Sequence, residues 1–407
     1  MLLTNNITIK SHYKILFFIS LFIISIKWIY SFTLYEEDIF LRIISDSGDN
    51  NYYPLIKSFS NLNFSPSFSA DSENLKLVSF PVLSLAVNSI FLKIFGGYSF
   101  IILELICTFV FLLLFFNILI ELKINKLQSI FCSLILLSII SLLDNLSYLN
   151  LNFIEILKYN FESFYTLRFP RPIINNLFFF CFIFFIIKFY KSNNNSLSYL
   201  LPLSILMGIS LNSFFYHAIN EFFILLTVFL YKFRLNFFTT VIDNYKKFLY
   251  SAVILVFFLA VFQIQVLFSE SDYLERLGLF VVDGNQKLIL LNYLKNLILK
   301  KEFLILLFLN TTIFYFTKNS VVKIFYFIFL SSVFSTLFIF SVLNKGVDYY
   351  CVSSIREFIN GLEFIEKNKI LVDTIHIRCP FLLPSSLYSL IMNRLPEVNA
   401  RYAFIQT

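Results

Sequence analysis

Apolar residues in this chain fall into long runs instead of alternating with polar ones. The runs cover 15–33, 99–120, 129–143, 173–190, 199–215, 218–232, 249–268, 302–317 and 324–343. A helix that crosses a bilayer needs roughly 20 mostly apolar residues, because no water is at hand to satisfy its backbone. The pattern predicts an all-α polytopic membrane protein with about nine transmembrane helices. The third and eighth runs are short and need residues from their flanks.

A further apolar run, Phe80 to Phe95, can be placed by charge. Cytoplasmic loops carry the excess of Lys and Arg. If this run does not cross, one side receives Lys10 and Lys14, Lys123 and Lys126, Lys188 and Lys191, Lys232, Arg234, Lys246 and Lys247, then Lys318 and Lys323. Every long acidic segment falls on the other side. If it does cross, that order is lost. The run is therefore expected to lie in the membrane interface, with Gly96 and Gly97 as a hinge before the next span. The N-terminus is then cytoplasmic and the C-terminus external. Segments 34–98, 144–172, 269–301 and the tail from 345 all lie outside, whereas the cytoplasmic loops are short. The membrane domain spans 1–344, with two interfacial helices in 34–98, and 345–407 forms an external appendage.

Composition agrees. Of 407 residues 58% are apolar and 14% charged, which excludes a water-soluble globular protein. The net charge of +7 is spread over loops with no compact basic run, so no nucleic-acid partner is expected. Cys107, Cys132 and Cys181 lie in apolar runs, and Cys351 and Cys379 in the tail, none with zinc-ligand spacing. Pairing of the last two is left open. The first run follows Lys10 and Lys14 and ends at Trp28, Tyr30 and Phe32 without a small-residue cleavage site, so it reads as a retained anchor.

The first external segment carries Glu36, Glu37, Asp38, Asp46, Asp49, Asp71 and Glu73. After Asp49, Tyr53, Ile56 and Phe59 stand at helical spacing and predict a short amphipathic helix on the bilayer surface. An Asp at its beginning suits a helix N-terminus, so a capping role for Asp49 is one reading. The other comes from resemblance. Asp49, Tyr52, Tyr53 and Ile56, then Pro81 through Phe95-Gly96, then Leu143-Asp144, follow the order of the opening module of the GT-C glycosyltransferases. That group of membrane enzymes includes protein O-mannosyltransferases and the aminoarabinose transferases of lipid A. The resemblance covers residues 15–150, and its strength lies in the order of its elements.

Such a resemblance implies transfer of a sugar from a polyprenyl-phosphate-linked donor to an acceptor on the outer face, in a bacterial inner membrane. Asp49 would be the general base or the carboxylate that orients the acceptor. Asp144 would help orient the acceptor or share a divalent cation, Mg or Mn, with Asp49. Metal use varies within the group and stays open here. Many of its members have more spans and a larger external C-terminal domain, so acceptor recognition does not carry over.

Other residues stand out by chemistry. Arg168 and Arg171 flank Pro170 just before the fourth span, and an Arg fork suits a carrier phosphate. The alternative is that both snorkel to lipid headgroups. His217 and Glu221 stand four apart and share a helix face between the fifth and sixth spans, where His217 is a candidate phosphate or sugar contact. A plain polar turn is the other reading. Glu104, Gln263 and Gln265 sit inside spans and are candidates of the same kind. Residues 269–301 begin acidic and continue as a Leu-rich, Lys-bearing interfacial helix, and 345–407 reads as a small α/β appendage with helices at 355–367 and 387–394 and a β-like run at 370–377. Two further functions remain in view. A polysaccharide polymerase or ligase would keep its key Arg residues in late loops and need no Asp49. A lipid or glycan transporter would show internal repeats or helices broken at mid-membrane.

Overall fold

The computed structural model describes residues 2–35, 52–64, 82–146, 171–192, 196–268, 295, 299 and 301–342. All regular structure among them is helical. In chain order the helices are α1 (Leu2–Tyr35), α2 (Tyr52–Ser60), α3 (Val82–Phe95), α4 (Ser99–Glu121), α5 (Lys126–Leu137), α6 (Ile139–Leu146), α7 (Arg171–Lys191), α8 (Leu200–Leu211), α9 (Phe215–Phe233), α10 (Phe237–Asp243), α11 (Tyr245–Phe268), α12 (Lys301–Phe316) and α13 (Ser320–Val342). Four stretches are helical, long and apolar enough to cross a membrane: Ser11–Tyr30, Val82–Glu121, Ile173–Lys191 and Tyr245–Phe268. Shorter apolar helices cover Lys126–Leu137, Leu197–Leu211, Leu307–Phe316 and Val321–Ser335. These properties mark an integral membrane protein. The expected α/β appendage at 345–407 and nearly all of the expected interfacial helix in 269–301 lie outside the described residues.

The chain divides into a larger unit, 1–275 with 305–336, and a smaller one, 276–304 with 337–407. Everything that follows concerns the larger unit. Its side-chain pairs fix the relative directions of α1, α4, α7, α9, α11 and α13. Tyr13 donates to Asn117 at 3.3 Å while Lys27 pairs with Glu104, so α1 and α4 are antiparallel. Glu121 pairs with Lys188 and Lys191, and Phe111 and Phe115 meet Phe180, so α4 and α7 run parallel. Phe179 meets His217 and Phe189 meets Phe229, so α9 runs with α7. Phe215 stacks on Phe262 and Phe229 meets Phe248, so α11 runs against α9. Tyr231 meets Phe327 and Thr227 bonds Ser331, so α13 does too.

One end of the bundle therefore gathers the start of α1, the α4–α5 turn, the end of α7, the α9–α11 connection and the α12–α13 turn. Its polar side chains are consistent with that closeness: Lys232 donates to the carbonyls of Phe189, Tyr190 and Ser192 at the end of α7, and Asn319 reaches the carbonyl of Leu122. This basic end holds Lys14, Lys123, Lys126, Lys188, Lys191, Lys232, Arg234, Lys246, Lys247, Lys318 and Lys323.

Val82–Glu121 is a single apolar stretch of 40 residues, about 60 Å if straight and twice the depth of a bilayer core. It is not straight. Gly96 adopts a left-handed backbone, φ +57°, which costs glycine nothing, and a 3-10 turn at Gly96–Tyr98 separates α3 from α4. The first turn of α3 then meets the end of α8, where Leu83 N donates to the carbonyl of Asn212 at 3.2 Å. Val87 and Phe91 pack against the apolar cluster that joins Leu103 of α4 to Ile173 and Ile174 of α7. So α3 folds back beside the beginning of α4, at the end opposite the basic one.

The helix α2 completes that end. The sequence expectation set its apolar face on the bilayer surface, but Leu55, Ile56 and Phe59 are buried in protein, against Ile24, Trp28, Leu85 and Phe100. Ser89 of α3 donates to the carbonyl of Ile56 at 2.9 Å and locks the two short helices together. Where helices meet away from water, close approach replaces hydrophobic drive, which explains the buried small residues Ser20, Ser84, Ser129, Ser133 and Ser204. At the α8–α11 contact a Cβ on Gly208 would run into the Phe258 ring.

Candidate functional site

The polar residues buried in the bundle concentrate at the end that carries α2 and α3. Their organising element is the turn between α8 and α9. Helix α8 stops at Leu211 because the next residues satisfy its last carbonyls in a tighter pattern: Ser213 N and Phe214 N both donate to the carbonyl of Ser210, at 3.1 and 2.7 Å. Phe214 is extended, φ −146° and ψ 88°, and α9 starts at Phe215.

Asn212 ties this turn to three other places. Its Nδ2 donates to the carbonyls of Gly208 and, across the contact, Phe258 of α11, at 3.1 and 3.0 Å. Its Oδ1 accepts from Gln265 Nε2 at 2.9 Å. Its backbone carbonyl receives Leu83 of α3. Gln265 thus points inward, whereas Gln263, two residues earlier, is exposed.

Next to Asn212, Ser210 Oγ donates to Glu221 Oε1 at 2.7 Å. Glu221 is fully buried, and its Oε2 accepts no hydrogen bond among the described residues. Ser213 Oγ is also buried and has no hydrogen bond among the described residues. His217 lies one turn before Glu221 with its ring 4.9 Å from Phe179 and 4.8 Å from Phe214. Asn220, on another side of α9, faces Ser332 and Ser335 of α13 at 3.4 Å. Asn175 and Asn176 are buried in the first turns of α7.

A second polar contact lies between α1 and α4. Glu104 accepts from Trp28 Nε1 at 2.9 Å through Oε2 and pairs with Lys27 through Oε1. Trp28 also packs in the cluster that holds α2. This pair is a polar clamp beneath α2.

Of the residues expected from sequence to carry chemistry, His217 lies in the first turn of α9 with its ring against Phe179 and Phe214. Tyr53 lies in the first turn of α2, Asp144 in α6 and Arg171 at the start of α7; the structure describes the helical backbone at these three but not their side chains. Asp49 and Arg168 lie outside the described residues. The structure pairs Glu221 with Ser210 and Gln265 with Asn212 at the α8–α9 turn, with His217 one helical turn before Glu221. Sequence reasoning missed Ser210, Ser213 and Lys27 as individual residues. Ser210 and Ser213 were hidden in an apolar run that continues to 215, and Lys27 in the first run, although a Lys inside a span is itself a signal of a buried partner.

Among the described residues no group of three or more His, Cys, Asp and Glu could hold a metal ion. No family model, curated protein or solved structure matches the chain.

Proposed function

We propose that the chain is a membrane glycosyltransferase that moves a sugar from a polyprenyl-phosphate-linked donor to an acceptor on the outer face of the membrane. One observation carries the reading: two short helices between the first two bundle helices do not extend the bundle but fold onto its non-basic end, and the second of them ends in Phe95-Gly96 before α4 begins. That is the succession expected of a GT-C opening module. The basic end belongs in the cytoplasm by the positive-inside rule, so α2, α3 and the α8–α9 turn face outward. The four long apolar helices extend to nine crossings when α5 with α6, α8, α9, α12 and α13 each traverse the bilayer in turn.

In this reaction the acceptor hydroxyl oxygen bonds to the anomeric carbon as the bond from that carbon to the phosphate oxygen breaks. The hydroxyl proton passes to Asp49, which must stand within hydrogen-bond reach of it. The electron pair leaves with the phosphate, a good leaving group that needs no acid, unlike the sugar oxygen in glycoside hydrolysis. Arg171 at the head of α7, and Arg168 three residues before it in sequence, supply paired donors for that phosphate. Asp144, Tyr53 and His217 orient the acceptor and sugar, and a divalent cation between Asp49 and Asp144 is compatible with two carboxylates.

The test is Asp49→Asn, assayed for release of polyprenyl phosphate from a polyprenyl-phosphate sugar by membranes that contain the protein. Loss of a general base should lower turnover by about 100-fold or more. Wild-type turnover in a variant with a normal size-exclusion profile would remove the proposed base.

A further inference from the structure

The Ser210–Glu221 pair is left over from that mechanism, and its atoms ask for something positive. Glu221 is wholly buried, one of its oxygens is held only by the Ser210 hydroxyl, and the other accepts no hydrogen bond among the described residues. No Lys or Arg forms an ion pair with it among the described residues. A carboxylate buried without a counter-charge is costly, and inside a bundle such a group faces a cavity or a partner. In the same tight turn the backbone N of Ser213 donates to the carbonyl of Ser210 at 3.1 Å, and its buried hydroxyl has no hydrogen-bond partner among the described residues. Asn212 and Gln265 are bonded to each other alongside.

From this arrangement we infer that Glu221, Ser210 and Ser213 form a binding site for a monovalent cation, buttressed by Asn212 and Gln265. The charge argument selects the valence. One carboxylate among neutral oxygens balances one positive charge, whereas a divalent ion bound by protein oxygens is held by more carboxylates. Oxygen ligands select a hard cation over a soft one. Helix interruptions whose carbonyl ends and side-chain oxygens meet are a known way for membrane proteins to hold such ions. The ion would hold together α8 and α9, and through Asn212 also α11 and α3. The inference does not depend on which reaction the protein catalyses.

The full chain, purified in detergent, tests it by thermal melting at constant ionic strength, with choline chloride exchanged stepwise for sodium or potassium chloride. A ligand that binds only the folded state raises the melting temperature in a saturable way. The expected result is a saturable rise of several degrees with one of the two metal cations, on the order of that produced by other specific ligands. Glu221→Gln should abolish the rise, and Ser213→Ala should move its midpoint to about tenfold higher salt, since one ligand is lost while the charge remains. Equal melting in choline, sodium and potassium would overturn the inference. So would a rise that survives in Glu221→Gln, or one that follows pH and ignores the cation, which would assign the carboxyl to a proton alone. If Glu221→Gln does not fold, Ser213→Ala and equilibrium dialysis of radioactive sodium with the wild-type chain decide: no bound sodium and no midpoint change reject the site.

Discussion

Single residues decide where this bundle is rigid. Glu104 holds both Lys27 and the only Trp of the chain, Trp28, and so couples α1 to α4 next to α2. Glu104→Gln keeps an acceptor for the indole but loses the charge pair, and Glu104→Leu loses both. The Lys27 side chain is about one-third exposed, so the pair itself is worth only about 1 kcal/mol. The expected result is a small drop in melting temperature for Gln, a larger one for Leu, and a displaced Trp emission maximum for Leu alone. Unchanged emission in Glu104→Leu would mean that the indole has no such partner. Gly208 makes a different demand. Gly208→Ala forces the Phe258 ring to move and should cost about 1–3 kcal/mol, as overpacked contacts do. Differential scanning of the purified variant checks this, and restoration by Phe258→Ala would place the strain at that contact. Sequence periodicity could not reveal Gly208, because a small residue in an apolar run shows nothing about what approaches it. It also could not separate Gln265 from Gln263. Both are amides in one helix, and only the position of Asn212 shows which of them faces the protein.

At the scale of elements, α3 is the informative piece. Its composition alone allows a crossing, and by length and hydropathy it merges with α4 into one apolar stretch. The distribution of Lys residues argues against a crossing, and at Gly96 the backbone between α3 and α4 turns left-handed, a conformation that a side chain with a Cβ would strain. Gly96→Val should cost about 1–2 kcal/mol and loosen α3 from α4. Proteolysis of membrane vesicles near Phe95 is the measurement: faster cleavage than in wild type is expected, and equal cleavage would mean that the turn tolerates a branched residue. The helix α2 was legible as amphipathic, but which surface its apolar face meets was not, because lipid and protein interior present the same chemistry to Leu55, Ile56 and Phe59. The break between α5 and α6 at Ser138 was invisible for the same reason, and the turn after α8, expected past residue 215, begins earlier, after Leu211: such a turn is made by residues as small and neutral as those of the helices.

At the scale of the molecule, the alternation of charge along the chain and the directions of the helices tell one story. The Lys-rich connections meet at one end, and α2, α3, the α8–α9 turn and the Glu104 clamp lie at the other. The catalytic proposal depends on the second end being extracytoplasmic. Asp49 stands out by its place in the order of sequence elements and Arg168 by its chemistry beside Pro170, whereas the buried polar cluster around Asn212 is visible only in the fold, since its members are spread over α3, α8, α9 and α11. The most direct test is sided labelling of single cysteines placed in a cysteine-free chain at Asp49, Lys57, Lys93, Lys123 and Lys247, the last four being exposed in the structure. A membrane-impermeant maleimide added to intact cells should modify positions 49, 57 and 93 and reach 123 and 247 only after the membrane is opened. Labelling of 93 on the side of 123, or of 49 and 93 on different sides, would contradict an outward-facing site built on α2 and α3.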